Sequence, residues 1–137
     1  MRVMVFGKAT KDSEAGVMPT QQAWDAMAQF NEELDKAGIV LAAEGLHNSS
    51  KAVRVHSSGQ NRIVTDGPFA ETKEIVAGYM IWEVKSMEEA IAWVKRSPMA
   101  DDSEVEIRPI IEPEHFEALE QEWQKRKRAD SASRTKR

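Results

Sequence analysis

Three features of this 137-residue sequence predict an α+β domain with one antiparallel sheet. Apolar segments follow the order strand, helix, strand, strand, helix, strand. Each of the two helical segments carries a single apolar stripe. The first and the longest strands are apolar on both sides. Together these describe a ferredoxin-like split βαβ unit, here with a β-hairpin inserted before its third strand.

Residues 2–8 (Arg-Val-Met-Val-Phe-Gly-Lys) are β-rich and open the unit as a strand. Val3 and Val5 point to one face, and Met4 and Phe6 to the other. The polar stretch from Ala9 to Met18 reads as a loop. Thr20 then offers a helix N-cap after Pro19, and Ala23, Met27, Phe30, Leu34 and Ala37 recur at helical spacing. Gly38 supplies the left-handed position that ends that helix. Ile39 to Leu46 is a second apolar strand, and Ala52 to His56 with Arg62 to Thr65 form a hairpin around Ser57-Ser58-Gly59-Gln60. The longest strand is Ile75 to Val84, with Val76, Gly78, Met80, Trp82 and Val84 on one face and Ile75, Ala77, Tyr79 and Ile81 on the other. Ser86-Met87-Glu88-Glu89 is a capping box. The helix behind it is expected to bury Met87, Ala90, Ile91 and Val94 and to stop at Ser97-Pro98. Val105 to Ile111 is the last strand, and Pro109 assigns it to an edge or an end.

Both helices cover one face of the sheet, so the apolar residues of the other face need a second cover. Sheet-against-sheet packing with a second copy supplies it, since twofold dimers dominate soluble homo-oligomers and large bare apolar patches are rare. Residues 1–112 form this domain. A C-terminal helix is expected over 113–128, starting at Pro113 and docking through Phe116, Leu119 and Trp123 on its own subunit or its partner. Residues 129–137 read as a basic, disordered tail.

Composition narrows the function classes. The net charge of −4 divides unevenly: residues 1–123 hold 12 Lys and Arg against 22 Asp and Glu, while 124–137 hold seven basic residues and one acid. An acidic body argues against a nucleic-acid-binding face, which needs clustered cations. The absence of cysteine excludes disulfides, thiolate metal sites and cysteine nucleophiles. With no apolar run longer than Val3 to Phe6 near the start, neither a membrane span nor a secretory signal is expected, and the cytoplasm is the default location. His47, His56 and His115 have no metal-binding spacing, so no metal or other cofactor is expected.

Asp66-Gly67-Pro68-Phe69 combines a turn-starting Asp, a flexible Gly and a φ-locked Pro, and by itself reads as a bend with Phe69 plugging the core. Its context is more specific. Thr65-Asp66-Gly67-Pro68-Phe69-Ala70-Glu71-Thr72-Lys73-Glu74, followed by Gly78-Tyr79, resembles the signature of the DGPF family within the YCII-related superfamily. Ala37-Gly38, Glu44-Gly45-Leu46, Glu104 to Pro109 and Lys8 to Gly16 extend that resemblance over about residues 1–112. It implies a ferredoxin-like domain forming a dimeric α/β barrel, without a settled activity. For some members it implies a regulatory association with an extracytoplasmic-function sigma factor. Relatives of the YCII type are proposed to use a His-Asp dyad with the histidine near the first loop or helix. No histidine precedes His47 here, so that pair is not carried over.

The remaining polar residues around the turn are the candidate site. Asp66, Glu44 and Lys8 are the catalytic candidates, and His47, Phe69, Glu71 and Lys73 the binding candidates. A carboxylate buried beside Phe69 or Trp82 is raised toward the range of a general base, and Lys8 or Lys73 would hold an anionic group. The plainer expectations are that Asp66 caps its own turn and that Glu71 and Lys73 form a solvated surface pair. Glu44, in an otherwise apolar strand, needs a partner or a cavity. Two function classes follow: an enzyme or binder of a small, anionic metabolite, using a cleft near the turn, or a regulatory module that docks on a sigma factor or another protein.

Overall fold

The computed structural model describes residues 1–135, and the chain folds through six strands and four α-helices. In chain order these are β1 (Arg2–Lys8), α1 (Lys11–Glu14), α2 (Gln21–Ala37), β2 (Val40–Gly45), β3 (Val53–Ser58), β4 (Asn61–Asp66), β5 (Val76–Glu83), α3 (Met87–Arg96), β6 (Val105–Pro109) and α4 (Pro113–Thr135). Four strands form an antiparallel sheet in the order β2-β5-β1-β6, and β3 and β4 pair only with each other. This is the split βαβ topology with an inserted hairpin. Pro109 lies on an edge strand, where its missing N–H costs no ladder bond.

Local chemistry fixes the helix ends. The Thr20 hydroxyl accepts from the Ala23 N–H at 3.1 Å, and Gly38 adopts φ 72° while its N–H bonds the Asp35 carbonyl at 3.0 Å. At α3 the Ser86 hydroxyl accepts from the Glu89 N–H, and the Glu89 carboxylate accepts from the Lys85 N–H, one residue ahead of the cap. The stretch expected to be a plain loop after β1 contains α1, which Thr10 and Ser13 close reciprocally as a capping box.

The core lies between the sheet and α2 and α3. Val3, Val5, Trp82 and Val84 meet Phe30, Leu34 and Ala90, and the rings of Phe30 and Trp93 pack edge to face at 6.3 Å. Trp82, only 1% exposed, is the largest fully buried side chain among the described residues. Two stripe assignments are corrected. Ile91 is exposed and half-buried Trp93 turns to the core in its place. In α2, full burial is confined to Phe30 and Leu34, and Ala23, Met27 and Ala37 are exposed, Met27 because it faces the open cavity described below.

On the opposite face, Met4, Phe6, Ala77, Tyr79 and Ile81 are half-buried and no helix covers them. Helix α4 also differs from expectation. It continues through 129–135, the expected start of disorder, while 136–137 lie outside the described residues. Phe116, Leu119 and Trp123 stay 59%, 55% and 52% exposed, so the stripe does not dock on its own subunit. Arg2 on β1 anchors the helix start through a two-point bridge to Glu112, at 2.9 and 3.1 Å. The pairing holds the Glu112 carboxyl below its ordinary value and raises the Arg2 guanidinium.

Candidate functional site

A cavity of about 410 Å³ opens between the sheet and the two covering helices. Its floor is glycine. Gly7 on β1 pairs with Gly78 on β5, and Gly78 pairs with Gly45 on β2, so three adjacent strands lack side chains in one row. At Gly45 an added Cβ would meet nothing within 4 Å, and at Gly7 only a carbonyl at 3.8 Å. At Gly78 a Cβ would come within 3.0 Å of the Glu44 carbonyl, so close approach of β2 requires glycine there. Walls of Val5, Met27, Phe30, Met80, Trp82 and Val94 make the space mainly apolar. Asn31 and Ser97 are polar members of the lining, and the Asn31 Oδ1 is buried without a hydrogen-bonding partner.

The turn singled out by sequence lies elsewhere, in a second constellation. Ser49, 2% exposed, begins a short 3₁₀ turn (Ser49–Lys51) after β2. Its hydroxyl donates to the Glu14 carboxylate in a short hydrogen bond and accepts from the Phe69 N–H at 2.9 Å. The Ser49 N–H donates to the other Glu14 oxygen at 2.9 Å, and the Asn48 amide reaches the Glu14 carbonyl at 3.4 Å. Gly67 donates its N–H to the Ala52 carbonyl at 2.8 Å, and a Cβ on Gly67 would sit 1.6 Å from the Ser49 carbonyl oxygen. One carboxylate at the end of α1 thus ties β2's exit to the Asp66–Phe69 bend. Phe69 completes the knot by lying under the Arg54 guanidinium, 3.7 Å from ring centroid to Cζ. It is a platform at a groove and not a core plug: the groove, of about 440 Å³, is lined by His47, Ser49, Lys51, Arg54, Phe69 and Glu74 among others.

The structure brings some expected site residues together and separates others. His47 and Phe69 share the groove, whereas Lys73 lies with Lys11 and Asp12 in a separate pocket. Asp66 ends β4, exposed and with no side-chain hydrogen bond, so the turn-capping role expected of it is absent. Glu71 is exposed and makes no ion pair with Lys73. Glu44 lines the glycine-floored cavity, but its register opposite Tyr79 turns its side chain to the uncovered face, where it is exposed. Lys8 follows a bulge, opposite Val76, and its ammonium group lies 3.6 Å from Glu106. Its side chain is 14% exposed, which makes it a packed ion-pair member at the start of β5. Glu14 and Ser49 were not among the expected site residues. The one local signal was Asn48-Ser49-Ser50, where Asn48 Oδ1 caps by accepting from the Ser50 N–H.

The YCII-related domain matches residues 1–114 of the chain. The chain belongs to that family. This YCII-related protein also aligns with an uncharacterized protein of Rhizobium meliloti (strain 1021), 40% identical over 80 residues. The alignment takes in 57% of this chain and spans 62% of that relative, less than two thirds of its length. Among solved structures, 5-chloro-2-hydroxyhydroquinone dehydrochlorinase from Burkholderia phenoliruptrix AC1100, in complex with 2,5-dihydroxybenzoquinone, is similar at a TM-score of 0.43 and 14% identity. That match covers 77% of this chain and 91% of the other.

Proposed function

We propose that this YCII-related protein binds a small, mainly apolar molecule in the cavity between sheet and helices. The observation that carries this is the row Gly7, Gly78 and Gly45, which leaves the sheet without side chains between the apolar walls of the cavity. A volume of about 410 Å³ falls in the range of small-molecule sites, and such sites pair apolar walls with a few polar groups. No lysine or arginine lines the cavity, which favours a neutral ligand over an anionic one at this position.

The test is a thermal-shift and NMR screen of neutral aromatic and aliphatic compounds against wild type and Gly45→Leu. Gly45→Leu fills the cavity from the open side of Gly45 and should abolish ligand-induced shifts while leaving the fold intact. Compounds that shift both proteins equally, or none that shifts wild type, would refute the proposal.

On the strength of Thr65 to Glu74 we place the chain in the DGPF branch, and with it the expected homodimer. The half-buried face of Met4, Phe6, Tyr79 and Ile81 supports that assembly. A second reading, as a regulatory module docking on a sigma factor, is favoured by one observation: the exposed Phe116, Leu119 and Trp123 stripe running into basic residues 125–128. Co-purification with a sigma factor that depends on Trp123 supports it, and equal recovery with Trp123→Ser counts against it.

A further inference from the structure

The groove beside the Asp66–Phe69 bend carries a charge pattern opposite to that of the body around it. Residues 1–123 have a large acidic excess, yet Lys51, Arg54 and His47 line this groove and Glu74 is its one acid. Five other cations of the folded body are paired, Arg2 with Glu112, Lys8 and Arg108 with Glu106, Lys36 with Glu32 and Arg96 with Glu33, whereas Lys11, Arg62, Lys73, Lys85 and Lys95 make no ion pair. Lys51, Arg54 and His47 have no ion pair and no side-chain hydrogen bond. Arg54 is nonetheless placed, because its plane lies 3.7 Å over the Phe69 ring. Stacking of that kind occupies the guanidinium's face and leaves its N–H edge, the edge that matches two oxygens of a carboxylate or phosphate.

The backbone beneath these groups is held as well. Phe69 is pinned by its N–H to the Ser49 hydroxyl, Ser49 by Glu14, and the neighbouring Gly67 by the Ala52 carbonyl. Recognition groups mounted on a tied frame lose little freedom on binding. We infer that this groove is a second binding site, separate from the glycine-floored cavity, for the carboxylate or phosphate group of a small molecule. Arg54 supplies the paired donors, Lys51 and His47 flank the anion, and Glu74 accepts from a donor elsewhere on the ligand. The acidic excess of the body disfavours anions over much of the remaining surface.

Titration of the full-length protein with inorganic phosphate, and separately with benzoate, followed by ¹H–¹⁵N spectra, tests the inference. Saturable shifts are expected at His47, Lys51, Arg54 and Phe69. Arg54→Gln should weaken binding at least tenfold, and Arg54→Lys should weaken benzoate more than phosphate. Tighter binding of phosphate assigns a phosphorylated ligand, and tighter binding of benzoate a carboxylic acid. Arg108→Gln, which removes an equal charge from the sheet edge, should change neither, and Gly45→Leu should leave both intact. The last control separates this site from the apolar cavity: either can fail without the other. Absence of saturation with both anions, or equal losses in Arg54→Gln and Arg108→Gln, would overturn the assignment.

Discussion

Gly67→Ala is the most demanding prediction from this fold. The added Cβ would lie 1.6 Å from the Ser49 carbonyl oxygen and 2.7 Å from its carbon. Ordinary carbon–oxygen contacts begin near 3.3 Å, so the two segments must part by roughly 1.7 Å. Both atoms met are backbone, and no rotamer change relieves the clash. Separation on that scale breaks the Gly67 to Ala52 bond at 2.8 Å and the Phe69 to Ser49 bond at 2.9 Å, and strains the Ser49 bonds to Glu14. At about 1 kcal/mol for each neutral bond and about 1.5–3 for one to a carboxylate, the loss is on the order of 3–4 kcal/mol. For a domain of this size that is a fall in Tm of roughly 10–15 °C. The hairpin also has a cheaper escape, detaching locally, which would appear as fast amide exchange at Gly67 and Phe69 before global unfolding. Urea melts, thermal scans and hydrogen exchange on the same variant distinguish the two routes. A Tm within about 2 °C of wild type, with Phe69 still protected, would refute the reasoning.

Ser49→Ala removes the hydroxyl between Glu14 and Phe69 and should destabilise by about 2–3 kcal/mol in urea melts, because two partners are left unbonded; a change under about 0.5 kcal/mol would contradict this. Trp82→Ala, at the largest fully buried side chain among the described residues, should cost about 3–5 kcal/mol and make the chain marginal, again read from the denaturation midpoint. The Glu112 carboxyl, held low by Arg2, adds stability that is complete above the ordinary carboxylate range and is lost as pH falls through the depressed folded value. Glu112→Gln should therefore flatten the acid limb of a Tm–pH profile between about pH 5 and pH 2, and identical limbs would exclude the bridge as a contributor. The proposed homodimer requires that Ile81→Lys on the uncovered face lower the mass from dimer to monomer by sedimentation equilibrium; a mass unchanged from wild type would rule out sheet-against-sheet pairing.

The parts of this fold that local chemistry decides were legible in the sequence. Thr20, Gly38 and Ser86 act within a few residues of themselves, so the ends of α2 and the start of α3 follow from residue type. Strand order followed from the alternation of elements, and Pro109 marked the edge. The packing of α2 was less legible, because periodicity shows which face is apolar and not where a cavity, here walled by Met27, keeps that face open. The Asp66–Phe69 bend was recognisable as a turn, while its role was not. Its meaning depends on Glu14 and Ser49, which reach it only through the tertiary fold. Lys8 illustrates the same limit: whether it meets the start or the end of β5 depends on strand direction, which the antiparallel register settles. The cavity left a trace in Gly7, Gly45 and Gly78, but three separated glycines become a floor only once the register aligns them.

That alignment bears on how the size of the glycine-floored chamber is set. Gly45 on the edge strand, and Gly7 on the neighbour beyond β5, have room for a side chain, while Gly78 between them has almost none. Single substitutions at the two outer positions can therefore shorten the chamber from either side in steps of one carbon, with the middle strand as a fixed reference. Chains sharing this sheet can thus differ in the depth of the chamber while keeping the same strand pairing.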